Sequence, residues 1–175
     1  MNTVYVTSDW HLGHKGISQK FRDKFTSDDN HDRMIWQNAR DMLTARDILI
    51  CLGDMSFTDE GLDMIHALPG RKILVRGNHD TRSMDMYNKV FEAIHGAYRY
   101  KGCFLTHIPI HPMELYRGYN IHGHCHRGGP SNLQIGEEWQ AYYNVILEFN
   151  DYRPVPMRDV LEVLKNRHTL HNEGE

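Results

Sequence analysis

Five short clusters carry seven side chains able to hold metal: Asp9 and His11 in Asp9-Trp10-His11, Asp54 after Gly53, Asn78 in Gly77-Asn78-His79-Asp80, His107, and His124 and His126 in Gly123-His124-Cys125-His126. Together they offer two carboxylates, one amide oxygen and four imidazoles. Such a mixed oxygen and nitrogen set suits first-row divalent ions such as Mn²⁺, Fe²⁺, Zn²⁺ or Ni²⁺. It is too rich in nitrogen for calcium or a dedicated magnesium site, and with no thiolate assured it does not resemble a closed structural zinc site. Seven donors are too many for one ion and suit two, with one carboxylate bridging ions roughly 3.5–4 Å apart. In Asp9-x-His11 and His124-x-His126, the i, i+2 spacing lets both side chains reach one region from an extended or turning backbone.

These clusters need elements to place them, and each follows a short apolar run. Residues 4–7 (VYVT) lead into Asp9, 48–52 (ILICL) into Asp54, 72–75 (KILV) into Asn78, 103–106 (CFLT) into His107, and 119–121 (YNI) into the Gly-His-Cys-His stretch. Apolar, β-branched runs bounded by turn signals predict buried strands. Helical patterns fall between them over 31–43, 59–68 (ended by Pro69-Gly70), 84–95 (weaker) and 157–167, with a further strand over 142–149. The polar, irregular stretch 14–30 reads as a loop near the mouth of the site. Strand–helix alternation makes an α/β chain, and in such sheets functional groups gather beyond the carboxyl ends of the strands.

Bulk composition narrows the function classes. A chain of 175 residues suits one domain with its own core, read here as 1–175 with no separate cap. A net charge of −3 gives no electrostatic case for a dedicated nucleic-acid binder. There is no basic-then-apolar leader and no apolar run of about 20 residues, so the reading is a soluble cytoplasmic chain without membrane contact. Cys51, Cys103 and Cys125 are odd in number and widely spaced, against a disulfide framework or a cysteine-rich zinc module.

Each cluster alone is ordinary. A Gly-Asp is usually a turn, a lone His107 a satisfied core histidine, and Gly-Asn-His-Asp can be an Asx turn. Five such clusters, all at strand ends, would need five independent coincidences. In this order they resemble the calcineurin-like metallophosphoesterase superfamily over roughly residues 4–150. "SDWHLGHKGI", "LGDMSF", "LPGRKILVRGNHD" and "NDYRPVPMRDVLEVL" are further similar to a small stand-alone branch of it.

The resemblance implies a four-layer α/β/β/α sandwich with a dinuclear centre at the strand ends. Asp9, His11 and His126 would hold one metal ion; Asn78, His107 and His124 the other; Asp54 would bridge both, and water or hydroxide between them would attack phosphorus in line. His79 matches the family's catalytic histidine, stabilising the transition state or protonating the leaving oxygen, with Asp80 either orienting its ring or capping a turn.

Several residues near these clusters are open to two readings. His14, Arg22 and His111 are candidate substrate contacts: His14 by its HxxH spacing from His11, Arg22 because arginine matches phosphate bidentately, and His111 as part of a proline-bounded loop after His107. An ordinary surface or solvated role stands beside each. Arg76 reads as cover for a sheet edge, His122 as a supporting or structural residue, and Cys125 as a packing residue facing away from its two histidine neighbours. Gly123 reads as the residue that allows the turn. His31, His66, His95, His168 and His171 have no motif context and read as surface residues.

A metal-dependent phosphoesterase is the leading function, acting on a small phosphodiester or nucleotide, with nucleic-acid ends as a further substrate. A phosphomonoesterase and a non-catalytic scaffold of the same fold are the alternatives; a scaffold should lack ligands or the histidine, and every position is present here. The start Asp-x-His-Leu-Gly is also similar to DNA-repair nucleases of the superfamily, but there is no basic excess to neutralise a nucleic-acid backbone. Gly-Asn-His-Asp and "GDMSFTDEG" depart from the Gly-Asn-His-Glu and arginine-bearing motif of the protein Ser/Thr phosphatases. Oligomeric state is not legible in the sequence.

Overall fold

The computed structural model describes residues 2–116, 118–126 and 140–172, with side chains as far as Arg167. The surface reading of His168 and His171 therefore lies outside the described side chains. In chain order the elements are β1 (Val4–Thr7), α1 (Ile17–Lys20), α2 (Asp28–Met42), β2 (Ile48–Cys51), α3 (Asp59–His66), β3 (Arg71–Val75) and α4 (Met84–Val90). There follow β4 (Ala93–His95), β5 (Tyr98–Tyr100), β6 (Cys103–Leu105), β7 (Tyr119–His122), β8 (Tyr142–Asn144), β9 (Val155–Pro156) and α5 (Met157–Asn172).

Two sheets build an α/β sandwich. The first has the order β4-β3-β2-β1-β9, with β1 to β4 parallel and β9 antiparallel to β1; the second has the order β5-β6-β7-β8, parallel except for β5. Strand alternation divides the apolar runs between two cores. Leu49, Cys51 and Leu74 face outward onto Ile35 and Ala39 of α2, Leu62 and Ile65 of α3, and Tyr87 of α4. Ile50, Ile73 and Val75 face inward, where they meet Cys103, Leu105 and Ile121 of the second sheet and Met157, Val160 and Leu164 of α5. Beyond the second sheet, Tyr142 Oη donates to Ile110 O at 2.6 Å and Asn120 Oδ1 accepts from Ile110 N at 3.0 Å, which fixes the segment that follows His107.

Local chemistry starts the helices. Ser27 Oγ accepts from Asn30 N at 3.1 Å at the head of α2, and Thr58 Oγ1 accepts from Gly61 N at 3.1 Å at the head of α3. Both helices carry two acidic residues in the first turn, favourable at the positive end of the dipole.

Several elements differ from the sequence expectation. The helix expected over 84–95 stops at Val90, and Ala93–His95 forms β4, paired in parallel with Ile73–Val75. Three residues are too few to show a period, and pairing with β3 overrides the helical pattern. The strand expected over 142–149 ends at Asn144, where asparagine side chains turn the chain: Asn144 Oδ1 accepts from Ile146 N and Asn150 Nδ2 donates to Ile146 O. The short edge strands β5 and β9 were not anticipated, and β9 tolerates Pro156 because an edge strand need not donate on both sides. The stretch 14–30 holds one helical turn, α1, and the first turn of α2. No helix among the described residues is long and apolar enough to cross a membrane.

Candidate metal centre

Asp9 and His11 follow β1, Asp54 follows β2, Asn78 follows β3, His107 follows β6, and His124 and His126 follow β7. Because these strands run in parallel within each sheet, their carboxyl ends lie together. Backbone bonds lace the loops: Asp9 N to Gly53 O at 2.9 Å, His11 N to Asp54 O at 3.0 Å, and Gly123 N to His107 O at 2.9 Å. Asp9, His11, Asp54 and His124 all take left-handed backbone angles, φ 57°, 53°, 53° and 66°. Each costs about 1–3 kcal/mol in a residue bearing a Cβ, and such strain persists only where the surroundings hold it. The turn after β7 is thus carried by His124 and not, as expected, by Gly123. Gly123 supplies room instead: a Cβ there would run into Asp9 Oδ2 and Ser8 Oγ. Gly53 has both needs, with φ 89° and a Cβ position 2.5 Å from Gly77 N and 2.7 Å from His107 Nδ1.

The side chains meet in two groups. One donor atom from each of Asp9, His11 and His126 lies within 4.8 Å of the others, and the same holds for Asp54, His107 and His124. Asp9 Oδ1 is 3.4 Å from His11 Nε2 and 3.3 Å from His126 Nε2. Asn78 Oδ1 joins the second group, 2.9 Å from His107 Nε2. Asp54 Oδ2 faces both, 3.4 Å from His107 Nε2 and 4.0 Å from His11 Nε2.

These residues fit a divalent-metal pair by the chemistry of the set. Burial pushes the Asp9 carboxyl up, yet hydrogen bonds from His11 and His126 outweigh it and hold it well below the usual carboxylate range. Asp54 is likewise buried and likewise held low, by its hydrogen bond with His107. Two buried carboxylates thus stay ionised amid converging ring nitrogens, including His124 Nδ1 and His107 Nε2 at 3.1 Å. His107 Nδ1 lies 2.8 Å from Leu52 O, which can only accept, so Nδ1 carries a proton and donates there, which turns Nε2 towards the cluster.

Sequence reasoning missed what stands behind His126. Glu148 Oε1 accepts from His126 Nδ1 at 2.8 Å, and Arg22 donates to Glu148 from Nε at 2.9 Å and Nη2 at 3.2 Å. Arg22 is buried and also reaches Asp9 O at 2.6 Å, Trp10 O at 3.1 Å and His31 Nε2 at 2.7 Å. All five of its N–H groups are engaged, so neither the phosphate-clamp nor the solvated reading describes Arg22, which is a strut of the centre. His31, read as a surface residue, is fully buried between Arg22 and Asp32, with Nδ1 2.7 Å from Asp32 Oδ1. No motif marks Glu148, which lies 126 residues from Arg22 and in a 3₁₀ turn.

The remaining site expectations divide. His79 is exposed, with its backbone N donating to Asp54 Oδ1 at 2.8 Å and its ring centroid 5.9 Å from that of His11. Asp80 does not orient that ring: its oxygens accept from Asp54 N at 2.9 Å, Met55 N at 3.1 Å and Gly77 N at 2.8 Å, tying two loops together. Of its two sequence readings, the capping one describes this geometry. Arg76 donates to Asp80 O at 2.6 Å. His14 and Arg22 line a cavity of about 380 Å³ with His11, His79, His124, His126 and Glu148. His111 is not among its lining residues; it caps a 3₁₀ turn, Nδ1 accepting from Met113 N at 3.3 Å. His122 is buried with Nδ1 donating to Gly123 O at 2.8 Å, and burial draws its pKa down to about 4. Cys125 belongs to neither donor group. Of the histidines without motif context, His66 is exposed and His95 stacks on Tyr98 at 4.7 Å.

A sandwich of two sheets with acidic and imidazole donors gathered at its strand ends defines a class of metal-dependent phosphoester hydrolases. The family model of calcineurin-like phosphoesterases matches residues 3–173, and the chain belongs to that family. It is 35% identical over 92 residues to the Gene 66 protein of Mycobacterium phage D29, covering 50% of this chain and 44% of that protein. It is 34% identical over 86 residues to the Gene 66 protein of Mycobacterium phage L5, covering 46% and 41%. The matched region thus spans less than half of either phage protein. Among solved structures, a protein of unknown function from Aquifex aeolicus superposes with a TM-score of 0.70 at 27% identity, covering 93% of this chain and 100% of that one.

Proposed function

We propose that this chain is a dinuclear metal-dependent phosphoesterase acting on small phosphodiester or nucleotide-type substrates. The observation that carries the reading is Asp54 Oδ2, placed between His107 of one donor group and His11 of the other. Asp9, His11 and His126 would hold one divalent ion, Mn²⁺ by preference; Asn78, His107 and His124 the other; Asp54 would serve both. Two bound divalent ions lower the pKa of a water molecule and neutralise charge on phosphoryl oxygens.

The chain's own groups do the rest. Leu52 O and Glu148 fix the rings of His107 and His126, so that both present Nε2 to the centre. His79 is held beside Asp54 through its backbone while its ring borders the cavity, where a ring nitrogen can give a proton to a departing ester oxygen. A non-catalytic scaffold is disfavoured because all seven donor residues and His79 are present in the sequence.

Turnover of bis-aryl and mono-aryl phosphates in Mn²⁺, beside His79→Ala, tests the reading. The expected result is metal-dependent hydrolysis with the diester preferred. Preference for the monoester would move the assignment to a phosphomonoesterase, and bound metal without turnover of either would favour a scaffold.

A further inference from the structure

The cavity beside the donor groups has a mixed lining. His11, His124, His126 and His79 line it together with Ile17, Phe21, Phe57 and His14. Phe21 and Phe57 belong to neither hydrophobic core. Phe21 is 61% exposed, a large apolar ring left in water at the mouth of a polar site. A single exposed aromatic is unremarkable; here it shares its cavity with a second ring placed against the proposed chemistry. The Phe57 centroid is 5.4 Å from that of His11 at 30° and 5.0 Å from that of His79 at 37°. Both phenyl rings stand edge-on to His14, at 6.2 Å and 74° for Phe21 and 4.9 Å and 77° for Phe57. His14 Nδ1 is buried and has no hydrogen-bond partner among the described residues.

We infer that Phe21, Phe57 and His14 form a subsite for the nucleobase of a nucleoside phosphoester whose phosphate lies at the two donor groups. This rests on the phosphoesterase reading above and names its substrate class. Every base has a π face that stacks on an aromatic side chain irrespective of sequence. A volume of about 380 Å³ lies within the range of small-ligand sites. The apolar lining residues give a hydroxyl-rich sugar phosphate or a phosphopeptide little to bind. Arg22 is the one Lys or Arg side chain among the described lining residues, and its N–H groups are all engaged. The cavity therefore suits a single esterified phosphate rather than a di- or triphosphate chain.

The test compares Phe21→Ala and Phe21→Trp with the unaltered chain, in the metal-loaded protein. Two readouts are taken: titration calorimetry with adenosine 5′-monophosphate against ribose 5-phosphate, and the ratio of kcat/KM for a nucleoside phosphodiester to that for a dialkyl phosphodiester. The nucleotide is expected to bind about tenfold tighter than the sugar phosphate, the order of one base–aromatic stack. Phe21→Ala should remove that gap and lower the kcat/KM ratio by a similar factor, while Phe21→Trp keeps both. Equal binding of the two ligands, or a ratio unmoved by Phe21→Ala, would overturn the subsite. A binding gap with no ester hydrolysed would leave the subsite standing and remove the hydrolase reading. Hydrolysis without preference for nucleoside esters would do the reverse.

Discussion

Glu148 accepts a hydrogen bond from His126 at 2.8 Å while Arg22 grips the same carboxylate through two N–H groups. The carboxylate fixes the orientation of the His126 ring, turning Nε2 towards Asp9, and Arg22 ties the carboxylate to the backbone of Asp9. Outer partners of this kind are worth about 10–100-fold in metal affinity. Glu148→Ala should therefore weaken one of two Mn²⁺ equivalents by that factor, with Glu148→Gln, which keeps an acceptor, falling between. Titration calorimetry reads both equivalents separately, and two unchanged equivalents would refute the positioning role. Its Tm should also fall, because buried Arg22 loses its carboxylate.

Asp54 belongs to the group of His107 and His124 and also faces His11 of the other group at 4.0 Å. Asp54→Asn should cost both metal equivalents and more activity than any other single ligand change; Asp9→Asn should cost one equivalent. Metal content by atomic spectroscopy after dialysis decides this. Equal losses in the two variants would count against bridging.

His79 touches the centre through its backbone and leaves its ring to the cavity. His79→Ala should keep metal stoichiometry and lower kcat by about 10²–10⁴-fold. The loss should shrink as the leaving alcohol becomes more acidic, since such an oxygen needs less help from a proton. A loss independent of the leaving group would sink the proton-donor role.

Asp80 accepts three backbone N–H groups from two loops. Asp80→Asn turns an amide donor towards at least one of them and should lower stability by about 1–3 kcal/mol. Thermal unfolding of the metal-free protein measures it. An unchanged Tm with reduced kcat would instead place Asp80 in catalysis.

Asp28 accepts from Ser18 Oγ at 2.6 Å, Gly16 N at 2.6 Å and Ser18 N at 3.0 Å, holding the segment that carries His14 and Phe21 against α2. Ser18 Oγ, then the two backbone groups, lower its pKa from the ordinary 3.8 to about 2. A depressed carboxyl stabilises the fold above its unfolded pKa and loses that contribution as pH falls through the folded one. Stability should thus decline between pH 4 and 2, and Asp28→Asn should flatten the decline in that window. An acid-unfolding profile identical in the two proteins would refute it.

The donor inventory and its placement at strand ends were legible along the chain. Runs such as 48–52 followed by Gly53-Asp54 are local signals, fixed by β-branched composition and turn residues within a few positions. Which donors face one another, and what stands behind them, depends on contacts between distant parts of the chain. Glu148 joins Arg22 across 126 positions, His31 is drawn into the interior by that arginine, and Asp80 turns to three backbone groups instead of His79. Strands β4, β5 and β9 have two or three residues each and exist because a neighbouring strand offers unpaired backbone groups. The aromatic wall of Phe21 and Phe57 joins rings from two loops that no period relates. Period and propensity act over a few residues, whereas partners across a hundred are chosen only when the two sheets stack and bring their strand ends together.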